Sequence, residues 1–362
     1  TTLDLEVVGE PIELHCRPSV EEPPSLGACL VTGILPQDTT EGLEEAPFIE
    51  SVLEVLSMPG TTSAGWNSLG YDDEIVRFAA WRNLLPPYER EYKHDNARFD
   101  LMVAFRFAWA VNRRKGIKWP LRDDFGSLSH DKLSSAQHKY LPNLWSKEKI
   151  AEENGNKDRA ISLGLEKFAA ENGIEDHAAT AHDALADVRA TIKLARLLRR
   201  AQPKLWDYAF GLRRKQAVSD IVDVDGSPFL LCDRGIGAAR GHATVAVTID
   251  QLDTNGRLVL DLHGDPAEIL ELEPRQLHAR FHRLDPDRLR IPVRRMRTNK
   301  LPMVIGEKWL NALDPEVWAG IGLDQELVDS RMAFVREHHA RIREQLRLVA
   351  DEPPETEAVD AE

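Results

Sequence analysis

The chain has 362 residues, 42% of them hydrophobic, which is enough for two or three domains with packed cores. No apolar run approaches the roughly 20 residues a membrane-spanning helix needs, and three widely spaced cysteines (Cys16, Cys29, Cys232) exclude a disulfide framework or a cysteine-built zinc site and point to a reducing cytoplasm. The net charge of −14 speaks against a polyanionic partner until it is mapped: six acids and no bases fall between Asp351 and Glu362, a solvated tail.

Residues 3–16 alternate apolar and polar around Gly9-Glu10-Pro11, which predicts two strands and a turn. Val31-Thr32-Gly33-Ile34 is a short run ended at Pro36, and Phe48 to Ser57 has helical periodicity. Small and apolar residues from Gly65 to Tyr71 lead into Asp72-Asp73-Glu74, and residues 74–84 and 98–111 read as helices. Carboxylates are favoured at a helix N-terminus, so Asp72 and Asp73 fit a charged first turn as readily as a functional pair. A loop at Asn172–Asp176 precedes Ala181-His182-Asp183-Ala184-Leu185-Ala186-Asp187, and Val188 to Arg200 predicts an amphipathic helix stopped by Pro203. From Val224 to Val304 the character changes. Phe229-Leu230-Leu231, Thr244 to Ile249 and Leu258 to Leu262 are β-like runs punctuated by glycines, a small β-rich domain. Residues 325–349 read as a helix with Leu327, Val328, Met332, Val335, Ile342 and Leu346 as its apolar set. Two basic runs, Arg196 to Lys215 and Arg275 to Lys300, are either solvated faces or a surface for a polyanion.

The residues around His182 suit metal-dependent hydrolysis. An imidazole at a loop-to-helix junction can take a proton from water near neutral pH. A carboxylate five residues on, one turn inside a helix, is a hard oxygen ligand of the kind Mg²⁺ prefers. The bland alternative is chance spacing, with Asp183 a helix N-cap.

Several stretches, in order, resemble one family. Trp66-Asn67…Tyr71-Asp72-Asp73-Glu74, His94-Asp95-Asn96-Ala97-Arg98-Phe99-Asp100 and His182-Asp183-Ala184-Leu185-Ala186-Asp187 are similar to bacterial exonuclease I, of the DEDDh 3′-to-5′ exonucleases. Val31 to Pro36, Gln202 to Tyr208 and Asn299-Lys300-Leu301-Pro302 extend the resemblance to about residue 340. It implies an α/β fold: a ribonuclease H-like exonuclease core over residues 1–201, its first strand missing, with an insertion near 126–163. An SH3-like DNA-binding domain and the start of a helical region would follow over 202–349, then a disordered acidic tail, 350–362. The family's Asp-x-Glu pair is expected upstream of Thr1, which makes the sequence a fragment or a mis-started reading frame. Most of the family's C-terminal helical domain is expected to be absent, lowering processivity.

The resemblance implies that Asp72 and Asp187 ligate metal, that His182 is the general base, and that two Mg²⁺ ions serve the reaction, with Mn²⁺ able to substitute. It assigns contacts with single-stranded DNA to Asn67, Arg77, Tyr88, Tyr92, Arg106, Tyr208, Lys215, Arg294 and Asn299. Tyrosine rings and arginines suit that task, since rings stack on any unpaired base and guanidinium groups neutralise phosphate, although helix packing and surface charge would use the same residues. Leu163-Gly164 stands where the family carries an aromatic–arginine pair that holds the 3′ end. The implied activity is release of 5′-mononucleotides from single-stranded DNA in repair and recombination, by a cytoplasmic monomer that associates with single-strand DNA-binding protein. Two readings stay open beside it: an exoribonuclease, and a catalytically inactive fragment that only binds single-stranded nucleic acid.

Overall fold

The computed structural model describes residues 1–19, 21, 24–112, 116–120, 161–174, 184–223, 225–237, 240–287 and 289–351. They form two compact units that divide between Arg214 and Lys215. The division falls beyond the boundary expected at residue 201, because the helix after Pro203 buries Trp206 and Ala209 with the first unit.

In the first unit, α1 (Leu26–Thr32) is opened by Ser25, whose hydroxyl accepts from Ala28 N–H at 3.1 Å. Gly33 closes it in the left-handed region (φ 72°) that a side chain disfavours. The two strands expected over residues 3–16 do not form. Leu3, Val7, Val8 and Ile12 are exposed, and the segment's one bridge joins Cys16 to Leu43. Alternation specifies a strand only where a ladder partner lies alongside. Helix α2 (Glu45–Leu56) is held to α3 (Asp72–Arg82) by Glu45, which takes both Nε (2.8 Å) and Nη2 (2.6 Å) of Arg82. Strands β1 (Thr62–Gly65) and β2 (Ala97–Asp100) pair in parallel, with Gly65 opposite Asp100.

Helix α4 (Leu101–Asn112) follows β2 with no intervening turn, so Arg98, Phe99 and Asp100 are strand and not the helical start expected. Phe99 meets the rings of Trp206 and Phe210 edge-on, at 5.5 and 5.2 Å. Phe168 of α5 (Leu165–Glu171) meets Phe105 at 4.8 Å and Trp119 at 5.4 Å. Such pairs contribute about 0.5–1.5 kcal/mol each beyond the area they bury. Helix α6 (Ala184–Ala201) buries Ala190, Thr191, Leu194, Ala195 and Leu198, the expected stripe, and Pro203 opens α7 (Pro203–Gly211) where a missing N–H costs nothing.

The second unit is a five-stranded antiparallel sheet in the order β6-β5-β4-β3-β7. The strands are β3 (Phe229–Cys232), β4 (Ala243–Gln251), β5 (Gly256–Asp261), β6 (Val293–Arg297) and β7 (Met303–Gly306). The first three match the β-like runs; β6 lies inside the basic run and was not legible as a strand. Helix α8 (Lys215–Val222) leans on β4 through Thr248, whose hydroxyl donates to the Val222 carbonyl at 2.6 Å. Helices α9 (Glu268–Glu271), α10 (Pro274–His282), α11 (Glu307–Leu310), α12 (Pro315–Ile321) and α13 (Gln325–Asp351) complete the unit. Helix α13 buries Val328, Met332, Val335, Ile342 and Leu346. It is latched to β4 by buried Asp250, which faces Arg343 (2.8 Å) and Arg347 (2.6 Å) one turn apart. Among the described residues no helix is long and apolar enough to cross a membrane.

Candidate functional site

The first unit builds its candidate site from the end of β1. A Cβ on Gly65 would stand 2.9 Å from Ser68 Cβ, so only glycine lets the chain turn back so closely. Asn67 sits in the left-handed region (φ 60°), which asparagine tolerates better than most residues. The turn is held by Asp100, a buried carboxylate at the end of β2. Its Oδ1 accepts from the N–H groups of Asn67 and Met102, both at 3.0 Å, and its Oδ2 accepts from Leu69 N–H at 3.2 Å. Burial pushes the Asp100 pKa up, and these backbone donors pull against it. One side chain thus holds the turn and the start of α4 together, and α3 begins at Asp72 just beyond the turn. Asp100 was not among the predicted site residues; its signal was an Asp at a strand end directly before a helix.

The two adjacent acids of α3 have separate fates. Asp73 is buried and accepts from Arg90 Nη2 at 2.6 Å and Arg98 Nη1 at 2.9 Å. Arg98 also meets Glu91 at 3.1 Å, Glu91 takes Arg77 Nε at 2.6 Å, and Arg77 reaches Glu74. Three carboxylates and three guanidinium groups alternate, so each buried charge has an opposite neighbour. Asp72, next in sequence, is solvent-exposed. Partial desolvation, then the Asp73 charge, raises its pKa. The network also holds Arg77. Expected at the substrate surface, its guanidinium is buried on Glu74 and Glu91, beneath the Tyr88 ring at 5.4 Å.

Tyr88 and Tyr92 flank a short 3₁₀ turn, Glu89–Glu91, and both rings are largely exposed, at 57% and 65%. Arg106 is the opposite case: it lies inside α4 and is 7% exposed. Its Nε and Nη1 make no hydrogen bond, and among the described residues no carboxylate pairs with it. A buried guanidinium without a counter-charge is a standing cost that an anionic ligand would relieve. Tyr208 on α7 lies against Phe107 at 6.2 Å, and burial pushes its hydroxyl pKa up to about 12, so it stays protonated. Trp66 donates its indole N–H to the Leu163 carbonyl at 2.8 Å, tying residue 163 to the Asn67 turn.

Asp187 sits half-buried in the first turn of α6. His182 lies outside the described residues. Asp72 and Asp187 are hard oxygen donors that suit Mg²⁺. Among the described residues no group of three or more His, Cys, Asp or Glu side chains could hold a metal ion.

The second unit splits its three predicted residues into two places. Lys215 Nζ donates to Asn255 Oδ1 at 3.3 Å, and the Asn255 carbonyl accepts from Thr298 N–H at 2.9 Å, which brings Asn299 to the β4–β5 turn. Arg294 lies at the other end of β6. Its Nε meets Asp261 at 2.9 Å and its Nη1 donates to the Gly235 carbonyl at 3.2 Å.

Residues 213–351 match the model of the exonuclease I SH3-like domain. Exodeoxyribonuclease I of Escherichia coli K12 is 31% identical over 372 aligned positions, covering all of this chain and 70% of the relative. The Haemophilus influenzae exodeoxyribonuclease I is also 31% identical, covering 93% of this chain and 64% of its own length. Among solved structures, E. coli exonuclease I in complex with a dA16 oligonucleotide superposes with a TM-score of 0.80 at 30% identity, over 99% of this chain and 70% of that one. A structure of single-strand DNA-binding protein and exonuclease I with an inhibitor gives 0.78 at 29%, over 98% and 68%.

Proposed function

The chain belongs to the exodeoxyribonuclease I family, with a ribonuclease H-like core and an SH3-like domain, and from that membership we propose that it removes nucleotides from the 3′ end of single-stranded DNA. The observation that carries the reading is Arg106. It is a buried cation with unsatisfied guanidinium nitrogens, in the unit that exposes Tyr88 and Tyr92 and carries Asp72 and Asp187. A phosphodiester would satisfy Arg106, while the two rings stack on bases without regard to sequence. Asn67 and Tyr208 would orient the strand end, with Lys215, Arg294 and Asn299 holding its backbone on the second unit.

Asp72 and Asp187 would hold the divalent metal, two Mg²⁺ ions in the full reading, with Mn²⁺ as substitute. The metal, when bound, supplies a nucleophilic water and neutralises developing charge on the phosphate. His182 would accept that water's proton, and 5′-mononucleotides would leave. The setting would be DNA repair and recombination in the cytoplasm, with single-strand DNA-binding protein as partner.

The alternative to be tested against this is binding of the strand without cleavage. A 5′-labelled DNA strand incubated with the chain, in Mg²⁺ and in EDTA, separates them. A ladder of shortened products that Asp187→Ala abolishes supports hydrolysis. A retarded band of full length supports binding alone, and neither at low salt overturns both. An RNA strand of the same sequence, degraded faster than the DNA, would move the substrate to RNA.

A further inference from the structure

Asp261 ends β5, is 3% exposed, and is the most heavily bonded carboxylate among the described residues of the second unit. Arg240 Nη2 reaches both of its oxygens, at 2.9 and 2.8 Å, and Arg294 Nε reaches Oδ2 at 2.9 Å. The Thr244 hydroxyl donates to Oδ1 at 2.5 Å and His263 N–H at 3.1 Å. Burial alone would raise the Asp261 pKa; the Arg240 and Arg294 charges and the donors around it hold it below the ordinary range. Two cations thus share one anion. His263 does not offset the surplus and does not add to it: burial, then the Arg240 charge, lowers its pKa and keeps the ring neutral.

More positive charge stands close by. Arg331 of α13 donates to the Leu262 carbonyl at 2.6 Å. The pKa of Arg290 is lowered by burial and by the charges of Arg283 and Arg294. The mounting is rigid. Gly241 has φ +58° and a Cβ there would stand 3.3 Å from the Gly320 carbonyl oxygen; a Cβ on Gly322 would stand 3.3 Å from His263 Nε2. The loop bearing Arg240 and the end of β5 therefore pack against the α12–α13 junction at backbone distance.

A guanidinium has five N–H donors in a fixed fork. Arg240 meets Asp261 through Nη2 alone, and Arg294 spends Nε and Nη1 on Asp261 and Gly235, so each keeps donors to spare. Both side chains retain solvent contact, 19% and 30% exposed. An arginine fixed at one edge by a buried carboxylate loses little freedom on binding with the other. We propose that Arg240 and Arg294, aimed by Asp261, form one subsite for a backbone phosphate of the bound single strand, with Arg240 a phosphate-contacting residue and Asp261 a positioning residue. This rests on the single-strand reading above and adds a named contact to it.

The test is fluorescence anisotropy of a labelled oligothymidylate with the whole chain across a NaCl series, with circular dichroism as the check of fold. Each phosphate contact adds about 0.7 to the slope of log affinity against log salt on a single strand. Arg240→Gln should lower that slope by about 0.7 and weaken binding several-fold, and Arg240→Lys should restore the slope. Asp261→Asn adds one net positive charge, so a purely electrostatic surface would bind more tightly; a positioning role demands weaker binding. Where Asp261→Asn fails to fold, the two Arg240 variants decide. A folded Arg240→Gln with unchanged slope and affinity overturns the subsite. Inorganic phosphate that displaces the strand at matched ionic strength from wild type, but not from Arg240→Gln, would assign the subsite to a free phosphate and overturn its role for the strand. If wild type binds no strand at low salt, it is the single-strand reading that fails.

Discussion

Asp72 and Asp73 are chemically identical neighbours in different surroundings, one exposed and one buried on two arginines, so losing them should do different things. Replacing Asp73 by Asn removes the charge from a buried side chain that accepts from Arg90 at 2.6 Å and Arg98 at 2.9 Å. Two charge-assisted hydrogen bonds at about 1.5–3 kcal/mol each set an upper limit near 6 kcal/mol. Arg98 keeps Glu91, which reduces the loss. Breaking a buried pair from one side costs about 3–5 kcal/mol, and that range is the expectation for Asp73→Asn. Asp72→Asn should stay within about 1 kcal/mol of wild type, as exposed substitutions at helix ends do. Urea denaturation followed by far-ultraviolet circular dichroism reads both, and 5′-labelled strand degradation reads function. The expected pattern is a large midpoint shift for Asp73→Asn and lost cleavage with an unshifted midpoint for Asp72→Asn. Equal midpoints for the two variants would refute the division of labour.

Three further outcomes are expected. Gly65→Ala sets a Cβ 2.9 Å from Ser68 Cβ, so thermal melting should show a loss of about 1–3 kcal/mol from overpacking. Tyr92→Ala should weaken single-strand affinity by about 1–3 kcal/mol in a binding titration, and Tyr92→Phe should not, because the ring does the stacking. The Asp250 carboxyl has its pKa raised by burial but lowered further by Arg343 and Arg347, for a net depression. Its contribution to holding α13 is therefore complete above the ordinary Asp value, about 3.9, and is lost as pH falls through the lowered folded value. Protection of the α13 amides against hydrogen exchange, taken relative to the intrinsic rate at each pH, should fall on that acid limb in wild type, while Asp250→Asn should be poorly protected already at neutral pH.

What could be read from the sequence was set by the range of the signal. The helices at Glu45–Leu56, Asp72–Arg82, Ala184–Ala201 and Gln325–Asp351 carry their apolar stripes within themselves. The start of α4 was placed too early because Arg98-Phe99-Asp100 runs into the helix without a glycine or proline, and only pairing with β1 marks it as strand. Alternation over residues 3–16 looked like strand for the converse reason, a pattern with no ladder beside it. Nothing local separates Asp72 from Asp73: the arginines that claim Asp73 lie 17 and 25 residues further on. The ion pair that buries Arg77 was illegible for the same cause, since Glu91 is 14 residues away. In the second unit, β6 reads as bare basic charge until Asp261, 33 residues before Arg294, shows where one of those charges is held.

The six-residue lattice of Asp73, Glu74, Arg77, Arg90, Glu91 and Arg98 bears on how a strand is first caught. Its charges cancel over a few ångströms, so its field dies away faster than that of a lone ion and is faint beyond a Debye length of roughly 8 Å at physiological salt. That lattice is thus nearly invisible from afar, and it neither attracts nor repels an approaching polyanion. Long-range attraction falls to arginines grouped with other arginines, such as Arg290, whose pKa the Arg283 and Arg294 charges lower, while the tyrosines act only on contact. Capture should then be sensitive to ionic strength through the second unit and nearly indifferent to it through the aromatic turn of the first.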